Sequence, residues 1–137
     1  MSSIVVDASV TPAGCFADEQ TPLALKVLER SKSGDQALVP SFGSVEVLNS
    51  LSIGEKRGRI SREQTQAFLG DLGAMAPSFD HESAEHVNGP VQRLCRDHGL
   101  TPYDALYVEL AVRAKCPFAT LDGAQKIVAR ALNVECI

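Results

Sequence analysis

The chain has 137 residues, 45% of them hydrophobic, a composition that fits a folded protein and excludes disorder as a description of the whole. That length suits one domain over 1–137 with a real core and is too short for two ordinary domains. A net charge of −4 argues against a protein that coats nucleic acid through its overall field, so contact with RNA would need a local patch or a metal ion.

Ile4, Val5 and Val6 form a short β-branched run that ends at Asp7, as expected for a strand buried on both faces of a parallel sheet. Thr21 and Pro22 open a helical pattern carried by Leu23, Val27 and Leu28, which fades by Gly34. A second strand is expected over 37–39, stopped by Pro40. Ser41 is the expected N-cap of the segment FGSVEVLNSLSIGEKR, whose apolar stripe is Val45, Leu48 and Leu51 and whose end is marked by Gly58. Ser61 with Gln64 reads as a capping box for a helix carrying Ala67, Phe68, Leu69 and Leu72. Residues 77–79 fit either a connector or a strand. Residues 82–98 are mostly polar, with Val87, Val91, Leu94 and Cys95 on one side, and Gly89-Pro90 kinks or divides them. Thr101 caps a helix that runs to about Lys115, with Pro102 at its first position and Asp104 at its third. A strand over 118–121, a helix over 123–132 and a last strand over 134–137 complete the chain. Strands alternating with helices predict an α/β fold, a short, mostly parallel central sheet with helices on both faces.

The N-terminal MSSIVVDASV has no basic region followed by a long apolar run, so a signal peptide is not expected. No apolar stretch approaches the roughly 18 residues of a membrane helix. Cys15, Cys95, Cys116 and Cys136 form no C-x-x-C pair, and His81, His86 and His98 are not spaced with them as zinc ligands. A soluble cytoplasmic protein with free thiols is the expectation.

Four acids carry the candidate chemistry. Asp7 and Asp122 each follow an expected strand, where open parallel sheets bind ligands; either can equally cap the helix that follows. Glu46 shares a helical stripe with Asn49, Ser50 and Ile53 at the border of the apolar one, where a solvated face is the plain alternative. Asp104 stands at the start of the apolar helix LTPYDALYVELAVRA, where it can also serve as the acid of a capping box.

Taken in order, VDASV, PSFGSVEVLNSL, GLTPYDALYVELA and ATLD resemble the PIN domain, and most closely the VapC-type toxins of bacterial toxin–antitoxin pairs. The resemblance spans nearly the whole chain. It implies the three-layer α/β/α PIN fold and a site at Asp7, Glu46, Asp104 and Asp122 that binds Mg2+ or Mn2+ and hydrolyses RNA. It carries Ser9, Asn49 and Thr120 over as supporting groups, with capping, a tolerated helix polar and strand packing as their respective alternatives. It also implies a cognate antitoxin and a homodimer. The physics is compatible: two carboxylates at ~4 Å repel by roughly 4 kcal/mol at an effective dielectric of 20, and an all-oxygen set suits a hard cation. The chain departs from the pattern at Gly14, where an aromatic is common, near Gly43, where another is, and at Gly123, where a basic residue is common; looser packing around the site or the dimer face is expected from the first two.

Lys56, Arg57, Arg59 and Arg62 cluster at a helix end and read either as an RNA-backbone contact or as a solvated terminus. With 5% aromatics and no tryptophan, a base-stacking platform is not expected. A non-catalytic PIN-like interaction module is the alternative function. A haloacid-dehalogenase-type phosphatase would need D-x-D where the chain has Asp7-Ala8-Ser9, and a receiver domain would need an acidic pair near the first strand.

Overall fold

The computed structural model describes residues 2–12, 16 and 21–137. Their elements, in chain order, are β1 (Ser3–Val6), α1 (Pro22–Lys32), β2 (Gln36–Pro40), α2 (Gly43–Lys56), α3 (Arg62–Ala74), β3 (Ser78–Asp80), α4 (Gln92–His98), α5 (Pro102–Ala114), β4 (Phe118–Ala119) and α6 (Gly123–Ala131). The strands form one parallel sheet in the order β3-β2-β1-β4. The chain steps outward from β1 to β2 and β3, then returns to the other side of β1. The order therefore reverses at β1, and the crevice beyond the carboxyl ends of β1 and β4 is the expected binding place.

The period of two along each strand explains the layers. Ile4 and Val6 of β1, Ala37 and Val39 of β2, and Ala119 of β4 pack with Val27 of α1 on one face. Val5, Leu38 and Phe118 point the other way into a larger core built by α5, with Val91, Val128 and Val134. Seven consecutive residues of α5, from Ala105 to Ala111, are buried, so this helix is the hub of the fold. A third cluster joins α2 to α3 through Phe16, Val47, Leu51 and Ile60, backed by Phe68, Leu69 and Leu72.

The predicted caps at Ser61 and Thr101 form, and Thr21, which opens α1, caps it too: each side chain accepts the N–H of the third helical residue, and at Ser61 the Gln64 side chain closes the box. The stretch 82–98 is divided as Pro90 requires, into a 3-10 turn (Ser83–His86), a π-helical turn (Val87–Val91) and α4. Residues 78–80 are a strand, the edge strand β3. Gly99, at φ +72, ends α4 in the left-handed conformation that glycine adopts without penalty.

Three expectations are corrected. Ser41 does not cap α2; Phe42 holds that position, without a side-chain cap bond. The buried face of α2 is Gly43, Val47, Leu51 and Gly54, while Val45 and Leu48 are 66% and 48% exposed. Small residues decide this: a Cβ on Gly54 would stand 2.7 Å from the Phe16 ring, so the helix packs on its glycine face and not on the stripe of larger apolar residues. The C-terminal strands are shorter than expected. β4 ends at Ala119 because side chains take the next backbone donors: Leu121 N–H donates to Ser9 Oγ at 3.1 Å and Asp122 N–H to Thr120 Oγ1 at 3.0 Å. Beyond it, the expected last strand is a single bridge of Cys136 to Phe118. Cys95, Cys116 and Cys136 are free thiols, and Cys15 lies outside the described residues. Among the described residues, no helix is long and apolar enough to cross a membrane.

Candidate active site

Asp7 leaves the central strand at the point where strand order reverses, and it is 6% exposed. Both its oxygens are fixed: Oδ1 accepts from Gln125 Nε2 at 3.1 Å, and Oδ2 accepts from the Ser9 N–H at 3.0 Å with the Thr120 hydroxyl at 3.4 Å. The Ser9 bond is a local turn of the kind aspartate favours after a strand.

Asp122 caps α6, its Oδ1 accepting from Gln125 N–H at 2.9 Å. The capping alternative is thus real for Asp122, and it occupies one oxygen only. Asp104 is the third residue of α5, and its N–H donates to Thr101 Oγ1 at 3.3 Å. No capping box forms with the Thr101 backbone N–H, but the Thr101 side chain also bonds the Asp104 carboxylate. Its Oδ1 lies 3.5 Å from Gln125 Nε2. Glu46, in the first turn of α2, accepts from the Tyr107 hydroxyl at Oε1, at 2.8 Å.

These elements bring Asp7, Glu46, Asp104 and Asp122 to one cleft of about 300 Å³, lined also by Ala8, Ser9, Asn49 and Ser50. Of the three supporting groups, Ser9 and Asn49 line the cleft, and Thr120 is buried behind Asp7. Lys56, Arg57, Arg59 and Arg62 are exposed and do not line it. Ten residues along α2 separate Glu46 from Lys56, about 15 Å of helix. The Arg59 guanidinium lies 4.3 Å from the Phe16 ring centroid.

The electrostatics follow from burial and like charge. Burial pushes the Glu46 carboxyl up, Asp7 and Asp104 push it further, and the Tyr107 hydroxyl opposes them by bonding to the charged form. Asp104 is raised by burial, then by Asp122 and Asp7, against the Thr101 bond. Burial and the nearby Glu46 carboxylate keep Tyr107 firmly protonated, hence a donor. Among the described residues, no Lys, Arg or His forms an ion pair with any of the four acids.

The donor set is all oxygen, which fits a hard divalent cation and not zinc. Among the described residues, no three His, Cys, Asp or Glu side chains stand ready to hold a metal by themselves. The acids share a cleft without closing a coordination sphere. That suits Mg2+, which keeps several waters and takes one or two carboxylates directly.

A family model described as PIN domain matches residues 4–131. The chain belongs to the PIN domain family. It is 31% identical over 120 residues to "Ribonuclease VapC3" of Pyrobaculum aerophilum, covering 87% of this chain and 88% of that protein. Among solved structures, this PIN domain resembles VapBC2 from Rickettsia felis bound to a DNA fragment from their promoter, with a TM-score of 0.66 and 14% identity over 98% of this chain and 97% of that one. It resembles PAE2754 from Pyrobaculum aerophilum equally, with a TM-score of 0.66 and 18% identity over 96% of each chain. These likenesses establish the three-layer α/β/α PIN fold.

Two buried residues that bond the acids of the PIN-domain cleft escaped the sequence reading, Tyr107 and Gln125. Tyr107 stands three residues after Asp104 in an otherwise apolar helix, so a hydroxyl on that face was a usable signal. Gln125 shares the buried face of α6 with Val128 and Ala129, at the i, i+3, i+4 spacing of a core stripe. The expectation of loose packing near Gly43 is corrected. A Cβ there would meet the Tyr107 hydroxyl at 3.3 Å and Val39 at 3.4 Å. The aromatic is one residue earlier: Phe42 packs edge-on against Tyr103 and Tyr107, with centroids 5.9 and 6.0 Å apart. Gly14 lies outside the described residues, and around Gly123 a Cβ would meet open space.

Proposed function

We propose that this chain is a divalent-cation-dependent endoribonuclease, the toxin of a toxin–antitoxin pair, with Asp7, Glu46, Asp104 and Asp122 as its catalytic and metal-binding residues. The observation that carries the reading is four carboxylates from four separate elements on one cleft at the sheet's switch point, with no ion-pair partner among the described residues. Similarity to "Ribonuclease VapC3" supports RNA as the substrate.

Mg2+ or Mn2+ is the cofactor in this reading. When bound, such a cation acidifies water and neutralises charge building on the phosphate, chemistry that carboxylates alone lack. The chain's own residues prepare the place. Ser9 N–H and Gln125 Nε2 each hold one oxygen of Asp7, and Thr120 bonds Gln125 from behind. Tyr107 fixes Glu46 Oε1, leaving Oε2 for a ligand. Capping fixes Asp122 Oδ1, leaving Oδ2. Asn49 and Ser50 supply neutral polar groups at the rim. Lys56, at the end of α2 about 15 Å of helix from Glu46, with Arg57, Arg59 and Arg62 beyond it, are the candidate contacts for RNA backbone.

The antitoxin partner is supported by the likeness to VapBC2 of Rickettsia felis. Leu25, Leu28, Val45 and Leu48, left exposed on α1 and α2, are surface available for it or for a homodimer. The inactive-module alternative draws no support from Gly43, which is tightly packed.

The test is cleavage of a panel of structured RNAs with Mn2+, with Mg2+ and with EDTA, beside the Asp104→Asn variant. Metal-dependent cleavage that the variant lacks is expected. Absence of cleavage together with absence of Mn2+ binding by calorimetry would overturn the reading in favour of the interaction module.

A further inference from the structure

We infer that Gln125 is a positioning residue that fixes Asp7 against Asp104 and Asp122 for cation binding; the inference rests on the metal-dependent reading above. Gln125 is wholly buried on the inner face of α6. A buried amide is unfavourable unless its donors and acceptor are met, and here every one is met by the site. Nε2 donates to Asp7 Oδ1 at 3.1 Å and to the Asp104 backbone carbonyl at 3.2 Å, with Asp104 Oδ1 at 3.5 Å. Oε1 accepts from the Thr120 hydroxyl at 2.6 Å. Gln125 N–H is the donor that Asp122 caps. One residue therefore touches three of the four acids.

The polarity of this network is fixed. A carboxylate only accepts, so the NH2 end of the amide must face Asp7. Thr120 enforces the same choice from the other side. Its oxygen accepts the Asp122 N–H at 3.0 Å, so its hydroxyl hydrogen is free to donate to Gln125 Oε1. The order Asp122, Thr120, Gln125, Asp7 runs donor to acceptor throughout, and each bond polarises the next. Charge explains the residue type. A lysine or arginine here would orient Asp7 equally well but would neutralise it and compete with a cation. An apolar residue would pack against Val128 and Ala129 but leave Asp7 Oδ1 without its donor and turn the Thr120 hydroxyl from the 2.6 Å bond to the longer 3.4 Å contact with Asp7 Oδ2. A neutral donor orients the ligand and leaves its charge for the metal, as outer-shell partners of metal ligands do.

The experiment is Mn2+ titration of the purified full chain by calorimetry, for wild type, Gln125→Met and Thr120→Val, with thermal melts in EDTA. Gln125→Met is expected to bind Mn2+ about 10- to 100-fold more weakly. Thr120→Val keeps the amide but frees its orientation, and a loss of roughly 10-fold is expected. A folded Gln125→Met that binds Mn2+ as wild type does would make Gln125 a packing residue and overturn the inference. Should that variant fail to melt cooperatively, an unchanged Mn2+ affinity in Thr120→Val would overturn it instead. Wild type that binds no Mn2+ sinks the metal-dependent reading and this inference together. Wild-type binding with unchanged variants sinks this inference alone.

Discussion

Two groups of carboxylates occupy this fold, and they are handled in opposite ways. Near the start of β3's outgoing turn, Asp80, Glu82 and the buried Glu109 converge on Arg113. The guanidinium donates to Asp80 at 2.7 and 3.2 Å, to Glu109 at 2.8 and 3.2 Å, and to Glu82 at 3.4 Å. Arg113 holds the Asp80 carboxyl down at about 2. In the cleft, Asp7, Glu46, Asp104 and Asp122 have no such partner among the described residues, and the carboxyls of Glu46 and Asp104 are raised. The first group ties β3 and the following turn to α5 with a cation of its own. The second, of which only Asp7 is fully buried, has no cation of its own among the described residues, and carboxyls raised by burial and neighbouring like charge cluster at functional sites.

The sharpest break of that comparison is neutralisation in the cleft. Asp104→Asn is expected to reduce RNA cleavage at least 1000-fold, about 4 kcal/mol of lost transition-state stabilisation. In EDTA the same variant should melt at or slightly above the wild-type temperature, because one repelling charge is gone. A large drop in metal-free melting temperature would mark Asp104 as a structural cap. The converse change is Arg113→Met, which strands Asp80 without a cation and leaves Glu109 only His86, at 3.7 Å. About 3 kcal/mol of stability should be lost in urea unfolding, with Mn2+ affinity unchanged. Equal loss of Mn2+ affinity would show that the two acid groups are coupled through α5.

Their pH dependences should also oppose. Asp80 titrates lower folded than unfolded, so its contribution is present above the ordinary value of 3.8 and is lost as pH falls toward about 2. Glu46 and Asp104 titrate higher folded than unfolded. The folded state then holds more protons, and their effect destabilises the metal-free chain as pH rises through the ordinary carboxylate range and above it. Melting in EDTA from pH 3 to 7 should therefore show Asp104→Asn gaining relative to wild type as pH rises. Saturating Mn2+ should remove that gain. A constant difference across the range would count against the raised carboxyl.

What could be read from the sequence and what could not divide along one physical line. Asp7, Asp104 and Asp122 were legible because each sits at a point the backbone announces: the end of an apolar strand, or the start of a helix behind Thr-Pro. Ser61 and Thr101 were legible as caps, and Thr21 as a helix start, for the same reason, since capping is local chemistry. Gln125 was not, because in DGAQKIVARA a glutamine three residues after a cap looks solvated, and only the fold shows that its side is the inner one. The face of α2 was misread for a related reason. Amphipathic pattern favours Val45 and Leu48, but close approach to Phe16 and Tyr107 needs Gly54 and Gly43. β4 ended early because the Ser9 and Thr120 hydroxyls replaced strand partners, which no propensity encodes.

Smaller changes test how tightly the cleft is held. Tyr107→Phe removes the donor to Glu46 Oε1 but keeps the ring packed against Phe42. Cleavage should fall about 10-fold, in line with one hydrogen bond to a charged group, and the melting temperature should barely move. Unchanged cleavage would make Glu46 insensitive to its orientation and weaken its place among the four acids.

Gly43→Ala is expected to give the smallest effect and the finest test. Gly43 has no positive φ, so alanine is not strained there, and lost freedom in the unfolded chain should favour it by roughly 0.4–1 kcal/mol. Against this, the new Cβ would stand 3.3 Å from the Tyr107 hydroxyl and 3.4 Å from Val39 Cβ. Each neighbour must yield by a few tenths of an ångström, and overpacking of this kind costs about 1 kcal/mol. The two effects nearly cancel, so stability in urea should stay within about 1 kcal/mol of wild type. Activity has no such cancellation. The group that yields most readily is the tip of Tyr107, and its movement lengthens the 2.8 Å bond to Glu46. Cleavage should then fall a few-fold while stability holds. If both stay unchanged, Tyr107 has slack that the packed geometry does not reveal; if stability alone falls, Val39 and not Tyr107 absorbs the added methyl.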